Sequence, residues 1–285
     1  MNAEKLTLIA DSGSSKTDWR LIDSLGAIKQ FRSKGLNPYF NSVEMVKQTV
    51  LSTFDSLELA DIGNVHFYGA GCSTDEKNKI IETALSSVFV NAEIFVEHDL
   101  LAAARASCGR EKGIAVILGT GSNCCLYDGA KIIKSYPSGG YLLGDEGGGF
   151  HLGKQLLKAF IEERLPSELR ERFIKRYGIS SSELLHQLYQ EDFPNRYMAS
   201  FSPFIFHHRQ HSFMAKLIAN VFRDFFDRHL VRFEECKTLP INFVGSVAYY
   251  YQEFINEQIR HFGFQQGRVI EKPISALCLY HQDLS

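Results

Sequence analysis

An α/β fold with parallel sheet is what this sequence predicts, and three observations predict it. Short aliphatic strands alternate with segments of helical apolar spacing. A strand–turn–strand–turn–strand unit at the N-terminus begins again at Gly113. The 285 residues suit about two domains. Taken in order, EKLTLIA (4–10) reads as a strand, DSGSSK as a turn and TDWRLID as a second strand. Leu25 and Gly26 turn into a third strand, AIKQFRSKG. Val43, Val46, Val50 and Phe54 are spaced for a helix over 42–58. VHFYGAG is a strand, 74–89 a helix, AEIFVE a strand and 99–108 a helix. The second unit repeats the order: GIAVILG, the turn GTGSN, CCLYD, the hairpin turn Asp128-Gly129, and AKIIKSY. Gly13 and Gly121 hold corresponding places in the two units. Beyond Phe150 the pattern is mostly helical. A helix over 151–164 stops before Pro166, another follows Ser180 and Ser181, and Ser212 is placed to cap a third through Phe213, Leu217, Val221 and Phe225. INFVG (241–245) is a strand leading into a helix from Ser246, and a short strand and a helix near 274–284 end the chain.

Composition narrows the function classes. Hydrophobic residues at 45% and charged residues at 22% fit a folded soluble protein rather than a disordered one. A formal charge of −2 supplies no whole-protein field for nucleic acid. No apolar run approaches the roughly 20 residues that span a bilayer. MNAEKLTLIADSGS lacks the layout of a signal peptide, so the expectation is a cytoplasmic protein without a membrane partner. Cys72, Cys108, Cys124, Cys125, Cys236 and Cys278 show no CxxC spacing and are expected to be reduced, buried small apolar residues.

Five motifs carry chemistry, each with a bland alternative. Asp11-Ser12-Gly13-Ser14-Ser15-Lys16-Thr17 joins two strands; its amides can form an anion-binding concavity and its Asp can hold Mg²⁺, while the alternative is a plain hairpin turn. Gly119-Thr120-Gly121-Ser122-Asn123 sits at the matching place in the second unit, with amides and hydroxyls that suit a phosphate. Two such turns at equivalent positions weigh more than either alone and suggest a phosphate chain gripped between two domains. Glu97-His98-Asp99 ends a strand and opens a helix. Asp99 can be a helix N-cap, a carboxylate that accepts a hydroxyl proton, or both, and His98 reads as structural. Gly139 to Gly149 holds six glycines in eleven residues, which disfavours a regular element and suits a ligand loop or hinge. Gly245-Ser246-Val247-Ala248 places glycine where a helix begins, beside which a flat ligand could pack. Two further clusters read as structural: His207-His208-Arg209-Gln210-His211 as a solvated segment rather than a metal site, and Phe222, Phe225 and Phe226 as core.

Together and in this order, the five motifs resemble the N-acetylglucosamine kinase group of the BadF/BadG/BcrA/BcrD ATPase family, in the sugar kinase, Hsp70 and actin superfamily. GTGSNC (119–124) and LLGDEG (142–147) are the most specific pieces. The resemblance implies two ribonuclease-H-like (actin-like ATPase) domains with a nucleotide cleft between them. The first would be 1–108 plus about 272–285, the second 109–271 with a helical insertion at about 151–235. It implies ATP and Mg²⁺, with Asp11 for the metal and Gly13, Ser14, Ser15, Lys16, Thr17, Gly119, Thr120, Gly121 and Ser122 for the phosphates. Asp99 matches the catalytic base, and Gly245 and Ser246 the adenosine motif. Asn37, Asn123 and Asp145, with the loop residues Gly140 and Tyr141, match positions that hold the amino sugar.

The implied activity is phosphorylation of N-acetylglucosamine at its 6-hydroxyl. Many relatives read GGWGYLLGDEG where this chain reads SGGYLLGDEG, without the tryptophan beside the acetamido group, which makes N-acetylmuramic acid and glucosamine rival acceptors. Two other functions compete. An activator of an acyl-CoA dehydratase or reductase would need cysteines exposed at a dimer interface for an iron–sulfur cluster. A non-catalytic sugar sensor would carry an N-terminal DNA-binding domain, for which the first strand, close to Met1, leaves no room. No nucleic-acid partner is expected, and a homodimer is left open.

Overall fold

In the computed structural model, residues 6–13, 15–55 and 59–282 are described. The chain divides into two compact units: one built from residues up to 110 with 129–131 and the segment from 272 onward, the other from 111–128 and 132–271.

In the first unit β1 (Leu6–Ser12), β2 (Lys16–Ile22) and β3 (Ile28–Lys34) form an antiparallel meander. β4 (Ile62–Gly69) and β5 (Glu93–His98) add in parallel, giving the order β3-β2-β1-β4-β5. Ser12 pairs with Gly69 and Gly69 with His98, so the carboxyl ends of the three parallel strands finish level on one edge. Helices α1 (Val43–Thr53), α2 (Asp75–Val88) and α3 (Asp99–Cys108) cover the sheet. Ser42 and Thr74 cap α1 and α2 by accepting from Met45 and Lys77 N–H. Trp19, Phe54, Phe67 and Phe89 are fully buried around Val46, Val50 and Leu85, with the Trp19 and Phe54 rings edge-on at 5.3 Å. The C-terminal helix, Ile274–Gln282, packs on α3, β1 and β2.

The second unit repeats this design. β6 (Gly113–Leu118), β7 (Ser122–Tyr127) and β8 (Ile132–Ser135) are antiparallel, and β9 (Pro240–Val244) and β10 (Gln265–Ile270) run parallel to β6. The order β8-β7-β6-β9-β10 matches β3-β2-β1-β4-β5 pairing for pairing. The weak repeat in the letters is therefore a repeat of topology. Between β8 and β9 runs a helical segment whose core is aromatic: Phe160, Phe173, Phe204, Phe222, Phe225 and Phe226 are all fully buried. Among the described residues no helix is long and apolar enough to cross a membrane.

Several boundaries differ from expectation. The glycine-rich stretch is not irregular throughout: it holds a helical turn, Gly140–Leu143, and Gly149 starts the helix Gly149–Ile161. Gly149 and Phe150 N–H donate to the carbonyls of Gly119 and Thr120, 2.8 Å each, so the first amides of that helix are satisfied by the GTGS turn. That helix ends three residues earlier than the spacing suggests. The first-unit helix expected over 42–58 ends at Thr53, and residues 56–58 lie outside the described ones. The long helix Ser212–Arg228 is capped by His211, whose ring accepts from Phe213 N–H, rather than by Ser212. The histidine run is not solvated throughout. His208 lies against Phe204, His207 meets Arg176 and His211 meets Glu168, so each ring has a different partner.

Candidate functional site

In the first unit, the level carboxyl ends of β1, β4 and β5 collect the candidate residues, where parallel sheets ordinarily present ligand groups. Asp11 stands one residue before the end of β1, opposite Asp18. Burial, then the nearby Asp99 and Asp18 charges, push the Asp11 carboxyl up to about 7. Asp99 opens α3 with its side chain 29% exposed, and it is not the cap. His98 fills that role: its Nδ1 lies 3.0 Å from Leu100 N and 2.8 Å from Asp99 Oδ1. Burial and the Asp99 charge also push the Cys72 thiol up to about 12.

The DSGSSK turn closes with Gly13 N–H donating to Lys16 C=O at 3.0 Å. A Cβ on Gly13 would meet only that oxygen, at 3.8 Å, so the chain's own packing does not require glycine there. Ser14 lies outside the described residues. Ser15 is exposed. The Lys16 ammonium lies 3.5 Å from Asp18. Thr17 needs a correction as a phosphate ligand. It is fully buried, and its hydroxyl meets Ser12 Oγ at 2.8 Å and donates to Lys34 C=O at 3.0 Å. That hydroxyl fastens the meander instead of facing a ligand.

Sequence reasoning missed three residues here. Ser12 Oγ accepts from Leu36 N–H at 3.0 Å and so ties the GLNP loop to the end of β1. Asp18 is buried; burial opposes its charge, but the Arg32 hydrogen bond at 3.0 Å and Lys16 hold its carboxyl below the usual range. His98 is the third. The available signal for Asp18 was its place beside Trp19 in a short strand; Ser12 and His98 had none. Asn37 is buried, and its Oδ1 accepts from Tyr39 N–H at 2.9 Å, which leaves the amide nitrogen as its remaining donor.

In the second unit, the carboxyl ends of β6 and β9 bring the GTGS turn and Gly245-Ser246 side by side. Gly245 has φ of 120°, and a Cβ there would strike the Leu118 carbonyl. Ser246 begins the short helix Ser246–Tyr250. The turn itself closes with Gly119 N–H donating to Gly121 C=O at 3.0 Å, and Thr120 is exposed. Asp145, held at φ of 60°, lays its carboxylate over Gly121, where a Cβ would come within 2.5 Å of Oδ1. Ser122 N–H donates to the same oxygen at 3.1 Å. Burial pushes the Asp145 carboxyl up against that bond. The buried Ser122 hydroxyl has no partner among the described residues. Asn123 turns its Oδ1 to Cys124 N–H at 2.9 Å. Gly140 and Tyr141 stand on the helical turn, with the Tyr141 ring edge-on to Phe150 at 5.9 Å. Glu146 is committed to His229 at 2.9 Å and Arg228 at 3.2 Å, which hold its carboxyl low although burial opposes this. The two units thus assemble two separate sets: Asp11, Gly13, Lys16, Asn37 and Asp99 in one, and Gly119 to Asn123, Asp145 and Gly245 in the other.

No family model matches the chain. A stretch of 95 residues, 33% of the chain, is 36% identical to the N-acetylmuramic acid/N-acetylglucosamine kinase of Clostridium acetobutylicum and spans 30% of that protein. Among solved structures, a Porphyromonas gingivalis protein provisionally named N-acetylglucosamine kinase is 38% identical. It matches with a TM-score of 0.92 over 97% of this chain and 99% of its own. A Chromobacterium violaceum protein under the same provisional name matches at 0.74 and 16% identity, over 98% and 99% of the two chains. A Streptomyces griseus ROK family glucokinase, solved with glucose and AMPPNP, matches at 0.57 and 16% identity over the same shares. These last two share the fold. Identity of 38% along nearly the whole of both chains, on a doubled β3-β2-β1-β4-β5 sheet design, means that this chain belongs to the N-acetylglucosamine kinase-like family.

Proposed function

We propose that the protein transfers the γ-phosphoryl group of ATP to the 6-hydroxyl of an amino sugar, with N-acetylglucosamine as the preferred acceptor. The observation that carries this reading is Asp99: an accessible carboxylate at the carboxyl edge of a parallel sheet, in charge contact with a second carboxylate, Asp11. Asp99 takes the hydroxyl proton as the sugar oxygen attacks phosphorus. Phosphoryl transfer asks little covalent chemistry of the protein, so positioning and charge stabilisation are its main tasks.

The residues fit the groups the reaction needs. A carboxyl raised to about 7 by its desolvation and then by neighbouring carboxylates is a donor that a divalent cation would ionise, which suits Asp11 for Mg²⁺. Bound there, the ion supplies neutralisation of phosphate charge. The open space over Gly13 and over Gly119, where a Cβ would meet nothing within 4 Å at the latter, leaves backbone accessible to phosphates. The buried Ser122 hydroxyl, without a partner among the described residues, keeps an unspent donor beside the turn.

N-acetylmuramic acid is the second acceptor to consider, since the Clostridium acetobutylicum relative carries both sugars in its name. Trp19, the only tryptophan of the chain, is fully buried and donates to Ser33 Oγ, so it cannot stand in for the tryptophan absent from the glycine-rich loop. An iron–sulfur activator role is disfavoured, because all six cysteines are buried. A coupled ADP-release assay compares N-acetylglucosamine, N-acetylmuramic acid, glucosamine, N-acetylmannosamine and glucose. Release is expected to be fastest with N-acetylglucosamine; absence of release with every sugar would overturn the kinase reading.

A further inference from the structure

We propose that His98 is a positioning residue for Asp99: its Nδ1–H holds one carboxylate oxygen and so leaves the other as the proton acceptor. The inference rests on Asp99 being the base. Two contacts converge on one atom. Nδ1 lies 2.8 Å from Asp99 Oδ1 and 3.0 Å from Leu100 N. A bare Nδ1 can accept from Leu100 N–H, but then its lone pair faces a carboxylate oxygen at hydrogen-bond distance, which is repulsive unless Asp99 carries a proton. A protonated Nδ1 donates to Asp99 and gives up the helix cap. The base must be ionised to act, so the competent state is the second. His98 thus trades one orphan helix N–H for control of the carboxylate.

The surroundings favour that state. The His98 ring is 30% exposed at the edge where β5 ends. Burial opposes protonation of the ring, yet the hydrogen bond and charge of Asp99 raise its basicity overall. Asp99 is the charged group that acts on His98, and Asp11 and Cys72 lie near Asp99 in turn. The step balances as follows. The sugar O–H bond breaks and its proton bonds to Asp99 Oδ2. The freed oxygen pair forms the new P–O bond, and the old P–O pair leaves with ADP. His98 keeps its own proton throughout, donating to Oδ1 before and after.

Two substitutions separate the cap from the positioning role. His98→Ser keeps a favoured N-cap but cannot reach Asp99. His98→Asn puts an amide nitrogen where Nδ1 sits. His98→Ser is expected to lower kcat about tenfold with KM for sugar and ATP unchanged and Tm retained, whereas His98→Asn keeps kcat within about threefold. In an Asp99→Asn background, His98→Ser should cost nothing more, since the two act as one unit. Nitrogen NMR of the ring supplies a readout independent of turnover: Nδ1 protonated in the wild type and bare in Asp99→Asn. Wild-type kcat in His98→Ser, a loss confined to KM, or a bare Nδ1 in the wild type would each overturn the proposal. Full activity of Asp99→Asn would instead sink the base itself, whatever His98 does.

Discussion

In the proposed reaction, Asp11 and Asp99 are the side chains that set the chemistry. Replacing Asp99 by Asn keeps its shape and removes its basicity, so turnover should fall about 10²-fold or more with sugar binding intact, measured by ADP release and by calorimetry. Asp11 makes a prediction about stability. Its carboxyl, raised to about 7, is held neutral in the fold across a range where the unfolded chain has already released the proton. Between the ordinary value near 4 and 7 the folded state therefore binds more protons, and stability falls as pH rises through that window. Asp11→Asn removes the effect. Without Mg²⁺ at pH 8 the variant should be the more stable protein, by on the order of 2–4 kcal/mol, and the difference should vanish at pH 4. Denaturant melts of both proteins at the two pH values check this, and added Mg²⁺ should narrow the gap at pH 8 only.

These two acids, Gly13 and the GTGS turn were legible because turn chemistry and strand ends are local signals. Ser12, Asp18 and Thr17 were not, because their partners Leu36, Arg32 and Lys34 arrive from distant positions. His98 was passed over for another reason. An imidazole next to a carboxylate in sequence is common, and only the ring's turn back onto Asp99 and Leu100 shows its use.

Strand ends and helix starts decide where those groups stand. The GTGS turn is gripped from two sides: Asp145 and Gly149 on the glycine-rich segment, and Gly245 at the end of β9. The tightest of these packings is at Gly245, where positive φ and the Leu118 carbonyl both exclude a side chain. Gly245→Ala should destabilise the second unit by about 2–4 kcal/mol, beyond what a surface glycine would cost. A thermal melt unchanged from wild type would contradict that account. Composition reads the glycine-rich segment as irregular, and its helical content escapes that reading. Glycine disfavours helix locally, and here the carbonyls of a turn some thirty positions earlier supply the partners that let Gly149 begin one.

Both units use one strand order, and the chain closes the first unit with its last helix, Ile274–Gln282. There His281 stacks on His66 with centroids 3.9 Å apart and meets Tyr68 Oη at 2.9 Å, while Arg105 donates to the same hydroxyl. Burial, then neighbouring positive groups, lower His66 to about 4 and His281 to about 3. Folded values below the ordinary 6.5 mean that the unfolded chain binds more protons in between. Stability from this cluster is therefore complete above about 6.5 and is lost as pH falls toward 4. His281→Phe keeps a stacking ring without a titrating one, so its denaturation free energy should fall less steeply than wild type between pH 7 and 4.5; parallel curves would exclude the histidine pair as the cause.

By itself the sequence determined the α/β class and the doubled unit and nominated the acids and glycine turns as candidates, because alternation, apolar spacing and turn chemistry act over a few residues. Only the tertiary structure decided which polar groups are spent on partners within the chain. Thr17 is spent inside a sheet on the Lys34 carbonyl, and Ser122 keeps a buried hydroxyl without a partner among the described residues, since hydrogen bonds and burial are settled by partners that the chain brings together in space.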